Sequence, residues 1–265
     1  MVNSVSPSFN NLNQAEQALA KSLTRLGTAS RINSAKDDAA GLAIASAMTA
    51  QLGSGNQSLR NVNDAQSLME TAGGALSQVG DTLQRMRELA VQAANGTNAA
   101  SDRQALQAEF SQLGESLNQI SGSTQFNGQT LLDGSFSGQV QNGPEAGNSR
   151  ALSLGNVSTQ GLGLAGAELG STEGASNAIE AIDRAIASVG AQQGDVGATQ
   201  ASLSSTAASL AGTYENLAAA RSRIADTDYG AETASLAQNS VRQQAALRAV
   251  AAYDAMQASK LDLLK

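Results

Sequence analysis

The sequence predicts a mainly α protein: an elongated antiparallel coiled-coil or helical bundle with a small β-hairpin region and paired terminal helices. Three observations predict it. A seven-residue apolar repeat runs from Ile179 to Ile224, a second repeat runs from Val62 to Ala93, and only Pro7 and Pro144 could interrupt a helix. In the first repeat every second member is aliphatic: Ile182, Val189, Val196, Leu203, Leu210, Leu217 and Ile224. A sustained heptad pattern marks a helix that winds against partner helices. At ~1.5 Å rise per residue that helix is roughly 70 Å long, more than a compact domain needs.

Composition narrows the class. The chain has 265 residues, which as a prior is one large domain or two ordinary ones. Hydrophobic residues reach 41%, but alanine supplies much of this and aromatics are 3%. Bulky side chains are too scarce for a thick core, whereas thin helix-on-helix seams suit Ala and Leu. The net charge of -7 argues against nucleic acid, which selects a basic face. There is no Cys, His or Trp. Disulfides, zinc–thiolate sites, imidazole bases and the usual nucleophile–His pairs are therefore excluded, and no cofactor or metal is expected. The start, Met1-Val2-Asn3-Ser4, lacks a basic stretch followed by an apolar run, so no secretory signal peptide is expected. Nothing approaches the length of a membrane span, and no membrane insertion is expected.

The elements follow in order. Leu12, Ala15, Leu19, Leu23 and Leu26 form one face of an opening helix, with Ser8 or Asn10 as its cap. A second helical piece runs from about residue 36 to 52, and Gly53-Ser54-Gly55 reads as a joint. The next helix carries Val62, Ala65, Met69, Ala72, Leu76, Val79, Leu83, Met86, Ala90 and Ala93, with Gly96 as its end. Ser101-Asp102 are expected to cap a shorter helix with Leu106, Phe110, Leu113, Leu117 and Ile120 on one face. From about 125 to 172 the pattern changes. Asn127-Gly128, Asp133-Gly134 and Asn142-Gly143 are turn dipeptides, and short strands are expected around 130–132, 136–140 and 151–154. This region has too few large apolar side chains to bury much alone. The long heptad helix follows from about Ser176, with a break near 226–230. The last helix is apolar on two faces, one with Leu236, Leu247, Val250, Leu261 and Leu264, the other with Ala246, Ala249, Tyr253, Met256 and Leu263. A helix apolar on two sides has more to bury than one partner covers, which points to other copies of the chain.

Several segments carry a resemblance. SAKDDAAGLAIA at 34–45, LQRMRELAVQAANGTN at 83–98, TQFNG at 124–128 and ARSRIADTDYGAETA at 220–234 are similar to bacterial flagellin, the filament subunit of the flagellum. Met256-Gln257-Ala258 and Leu263-Leu264 fit the same pattern. The chain departs from the family where a variable outer insertion usually stands: only about 129–175 is in its place. The resemblance implies an inner domain of residues 1–42 and 228–265, and a surrounding bundle of 43–227. The inner helices would line the filament core through Leu12, Leu19, Leu23, Leu26, Leu247, Val250, Tyr253, Met256, Leu261 and Leu264. The bundle seam would be Val62, Met69, Leu76, Val79, Leu83, Ile182, Val189, Val196, Leu203, Leu210 and Leu217. It implies a homopolymer, terminal segments that fold on assembly, and export without a cleaved signal peptide. The implied partners are a type III export apparatus, an export chaperone, and the filament cap and hook-junction proteins. A subunit repeated by one non-closing operator gives an open helical filament.

Charged residues carry the finer expectations. Lys36, Asp37 and Asp38 read either as a solvated first helical turn or as a salt-bridged joint between inner helices and bundle. Arg221, Arg223, Asp226, Asp228 and Glu232 read the same way, and Arg221, on a seam position, needs a carboxylate partner or a route to water along its stem, with pairing expected. Their spacing lacks the calcium-loop pattern. In the family, positions matching Arg85, Leu89 and Glu109 resemble the patch read by the innate immune receptor TLR5. Arg85 and Leu89 share a helix face, and Leu89, outside the Met86/Ala90 seam, is expected to present an apolar anchor beside a charge. The alternative is a subunit–subunit contact. Rival functions are a hook–filament junction or other axial protein of the same export system, an enzyme built on Asp/Glu pairs, and an adhesin using the hairpin region.

Overall fold

The computed structural model describes residues 5–145 and 147–262, without the side chains of residues 5–8, 261 and 262. Leu264 and the side chain of Leu261, both expected in the polymer core, lie outside the described residues. Five helices are described: α1 (Val5–Thr28), α2 (Ala39–Ala93), α3 (Ala100–Ser123), α4 (Thr172–Ala225) and α5 (Tyr229–Asp262). Between α3 and α4 lie two antiparallel pairs, β1 (Gln125–Phe126) with β2 (Gln129–Thr130), and β3 (Ser137–Gln141) with β4 (Ser149–Ser153). The protein is thus mainly α with two small hairpins, as its periodicity predicts.

Three expectations about helix ends are corrected. Gly53-Ser54-Gly55 is not a joint: α2 runs through it as a single helix of 55 residues. Glycine costs about 1 kcal/mol in a helix interior, which burial of neighbouring seam residues can exceed. Ser8 and Asn10 do not cap the first helix, because α1 already begins at Val5. At α3 it is Ala99 that holds the cap position, and the Asp102 carboxylate accepts the Ala99 backbone N–H at 3.0 Å.

Contacts divide the chain into two compact units: the described residues of Met1–Leu52 with Glu215–Lys265, and Gly53–Tyr214. Helices α2 and α4 contribute to both. The second unit holds the large core. Every expected seam residue from Val62 to Leu203 is buried in one cluster, and Leu210 packs against its edge. The two long helices run antiparallel there. Going up α2 from Gly55 through Gly73 and Gly80 to Arg87, the facing residues on α4 go down from Tyr214 through Val196 and Gln193 to Asp183.

The middle region joins this core rather than standing apart from it. Leu131, Leu132, Phe136, Leu152, Leu154, Val157, Leu162, Leu164 and Leu169 all belong to the same cluster. Asn127 and Gly128 make the expected tight hairpin, with φ of 50° and 78°, the left-handed pair that a type I′ turn requires. The expected strand ends at Thr130, and Leu131 and Leu132 beyond it are both fully buried. The Leu132 carbonyl instead accepts from Val157 N–H at 3.0 Å and from the buried Ser121 hydroxyl at 2.8 Å. The β3–β4 hairpin is tied to the helices by Asn61 donating to the Gln141 carbonyl at 3.1 Å, and by Arg150 donating to Ser202.

Candidate assembly and recognition surfaces

The first unit is built around the pairing of α1 with α5. Ser22, Arg25 and Leu26 on α1 meet Asn239, Glu232 and Tyr229 on α5, so the two helices run antiparallel. The buried side chains on α1 are small: Ala15 and Ser22. Among the described residues of this unit, the only buried apolar side chains are Ala15, Ile32, Ala45 and Ala225. Four small or medium side chains are little for such a length of helix. Meanwhile Phe9, Leu23, Ile44, Tyr229, Val241, Leu247 and Met256 are all exposed. Of the expected polymer-core residues, Leu12, Leu19, Leu26, Val250 and Tyr253 are half-buried, and Leu23, Leu247 and Met256 are exposed. Val241, the most exposed at 65%, was not singled out by periodicity because it falls on neither apolar face of α5. Leu217, expected in the seam, is half-buried in this unit.

A polar knot joins the C-terminal end of α1 to the start of α5. Ser30 and Asp226 form a backbone bridge, the Arg31 N–H donates to the Ala225 carbonyl at 2.7 Å, and the Thr227 N–H to the Ala29 carbonyl at 3.0 Å. Arg31 donates to the Ile224 carbonyl at 2.5 Å, the Ser30 hydroxyl to the Ala225 carbonyl at 3.0 Å, and the Tyr229 hydroxyl to the Leu26 carbonyl at 3.0 Å. Arg25 pairs with Glu232 at 3.5 Å. These donors close carbonyls left open at helix ends.

The charged residues expected at a joint have separate roles here. Two of them have ion pairs: Glu232, with Arg25, and Asp37, where Lys21 lies 3.0 Å away and Ser34 donates to the other carboxylate oxygen at 2.9 Å. Lys21, and then Ser34, hold the Asp37 pKa at about 2, below the ordinary 3.8. Asp38 and Asp228 are helix caps. Asp38 accepts the Gly41 N–H at 2.8 Å at the start of α2, and Asp228 accepts the Ala231 N–H at 3.0 Å at the start of α5. Asp226 acts through its backbone. Arg221 is half-buried and, with Lys36 and exposed Arg223, makes no ion pair among the described residues. The carboxylate expected for Arg221 is therefore not supplied among the described residues, and a half-buried guanidinium can reach water along its stem. Lys21, Arg25, Arg31 and Tyr229 were not singled out from sequence. Their partners lie far along the chain, and no local spacing signals them.

The second surface lies on α2 and α3. Arg85 is half-exposed and bridges Glu109 at 2.8 Å and Glu88 at 3.0 Å. These two carboxylates, Glu109 first, raise the Arg85 pKa above its usual value. The same face was expected to offer Leu89 as an apolar anchor, and this is corrected. Leu89 is 1% exposed and part of the core cluster. Glu109 of α3 pairs with Arg85 one turn away, and Leu89 joins the core cluster that also holds Phe110 of α3. Exposed Val91 lies nearby, and Gln84, Arg87, Glu88, Val91 and Gln92 line a shallow hollow. Among the described residues no group of His, Cys, Asp or Glu is arranged to hold a metal, and no described helix is long and apolar enough to cross a membrane.

Comparison with known proteins places this architecture. The bacterial flagellin N-terminal helical region matches residues 3–137, and the bacterial flagellin C-terminal helical region matches 179–264. A flagellin of Salmonella muenchen is 45% identical over 155 residues, covering 58% of this chain and 31% of that protein. The match thus spans about a third of the length of such relatives. The crystal structure of Bacillus cereus flagellin is 32% identical, with a TM-score of 0.52, over 57% of this chain and 88% of that one. A flagellar hook-associated protein from Vibrio parahaemolyticus shares the fold alone: TM-score 0.61 at 14% identity, over 72% of this chain and all of that one. The N-terminal match alone takes in half of the chain, and with its C-terminal counterpart it shows that the chain belongs to the bacterial flagellin family.

Proposed function

We propose that the chain is a structural, non-catalytic subunit that self-assembles into the extracellular flagellar filament used for motility. One observation carries this reading: the α1–α5 unit exposes large apolar side chains on both helices while burying almost none. Ordering a backbone costs roughly 1–2 kcal/mol per residue, so neighbouring copies must supply the burial that this pair lacks. Residues 1–42 and 228–265 form the inner domain of the polymer, and 43–227 the surrounding bundle. Leu12, Leu19, Leu23, Leu26, Leu247, Val250, Tyr253, Met256, Leu261 and Leu264 make the core contacts. The chain reaches the cell exterior through a type III export apparatus with its chaperone, and meets cap and hook-junction proteins at the filament ends. The released monomer is recognised by TLR5 through Arg85 and Glu109, which remain half-exposed, with Leu89 acting from beneath as support. The second reading is a hook–filament junction or other axial protein of the same system.

Negative-stain microscopy of the concentrated chain tests the proposal. Long filaments are expected from the full chain, and a soluble helical species from chains lacking residues 1–30 or 240–265. Short oligomers from the full chain would favour the junction reading. Normal filaments from either truncation would refute the role given to the ends.

A further inference from the structure

The seam of α2 runs at seven-residue steps from half-buried Met48 through the buried Gly55, Val62, Met69, Leu76, Leu83 and Ala90. Gly55 is the one member without a side chain. It is buried, and a Cβ added there would lie 2.0 Å from the ring of Tyr214. The corresponding series on α4 is Ile179, Ile186, Gln193, Gln200, Ala207 and Tyr214, and Tyr214 is its only aromatic. The ring is buried, and that burial raises its pKa. A notch with no side chain therefore holds the largest side chain of the facing seam.

This pairing matters because most of the seam repeats, Gln193 and Gln200 being the polar departures on α4. A slide of one heptad replaces aliphatic contacts by aliphatic contacts along Val62, Met69, Leu76 and Leu83, and along Ile182, Val189, Val196 and Leu203. Such a slide moves one helix past the other by about 10 Å. A uniform apolar repeat specifies register weakly, and a unique residue at a seam position is what selects it. In a slipped register the Tyr214 ring would meet position 48 or 62, where Met48 and Val62 carry side chains. Overpacking of that kind is destabilising.

We infer that the Tyr214 ring seated on Gly55 is the register pin of the antiparallel α2–α4 seam. The inference does not depend on assembly into a filament. The absence of cysteine allows spin labels at Gln78→Cys and Ala211→Cys, both exposed and offset along the seam, in the full-length monomer. Their separation changes by most of about 10 Å if the helices slide one heptad. The wild-type pair should give one distance, and Tyr214→Ala should add a second, displaced population. Moving the bulk across the seam, Gly55→Leu with Tyr214→Val, should restore the single distance and recover the melting temperature lost by Gly55→Leu alone. A single unchanged distance in Tyr214→Ala, with only lowered melting, would overturn the inference and leave the ring as ordinary core. Should Gly55→Leu fail to fold, the Tyr214→Ala distance decides alone.

Discussion

Replacing Val241, Leu247 and Met256 by alanine should disable assembly while leaving the monomer intact. The three side chains are 65%, 47% and 56% exposed and lie on different sides of α5. Fully burying such a side chain contributes roughly 1.5–3 kcal/mol. With about half of each still open to solvent, and a methyl retained by alanine, each truncation removes about 1 kcal/mol of burial on assembly. Three together remove about 3 kcal/mol, which at about 1.4 kcal/mol per decade raises the critical concentration roughly a hundredfold. The monomer should barely change, since exposed positions shift stability by about 0.5 kcal/mol or less and alanine favours helix. The critical concentration is read by sedimentation of polymer at equilibrium, and the monomer by thermal melting followed by circular dichroism. An unchanged critical concentration would refute the reasoning. So would a fall in monomer melting matching that of a core variant, because these side chains would then already be buried.

Four further outcomes follow from the same geometry. Leu76→Ala, at a fully buried seam position, should cost about 2–5 kcal/mol and lower the melting temperature by several degrees. Leu132→Ala should cost a similar 2–5 kcal/mol although it lies between short hairpins; a cost below about 0.5 kcal/mol would show that the middle region is not part of the core. Asp37 has a folded pKa of about 2 against an ordinary 3.8, so its contribution is present above about pH 4 and lost as pH falls through 2. The stability difference between wild type and Asp37→Asn should therefore shrink across that window in acid titrations of unfolding, and a constant difference would rule out the Lys21 pairing as its source. Arg85→Ala should weaken TLR5 signalling by purified monomer without lowering its melting temperature, whereas Leu89→Ala should do both; full signalling by Arg85→Ala would remove this patch from recognition.

Much of the architecture was legible in the linear order of residues, and the reason is periodic burial. A helix that packs along its length must repeat its apolar residues at helical spacing, so the seam from Val62 to Leu203 could be read before any coordinates. Asn127-Gly128 was legible for the same kind of reason: only such a dipeptide takes two left-handed conformations cheaply. Segments at 34–45, 83–98 and 220–234 likewise sufficed to indicate the family. What pattern cannot encode is which partner a side chain finds across the chain. Gly55 reads locally as a helix breaker, but the tertiary structure makes it the seat of Tyr214 and keeps α2 continuous. Leu89 reads as an exposed anchor by its offset from Ala90, but it is buried in the core cluster. Asp38 and Asp228 read as half of a charged joint, yet backbone N–H groups at helix starts claim them first. Periodicity reports which face of a helix is apolar; only the packed chain determines what covers that face, because the covering residues are distant in sequence and share no local signal.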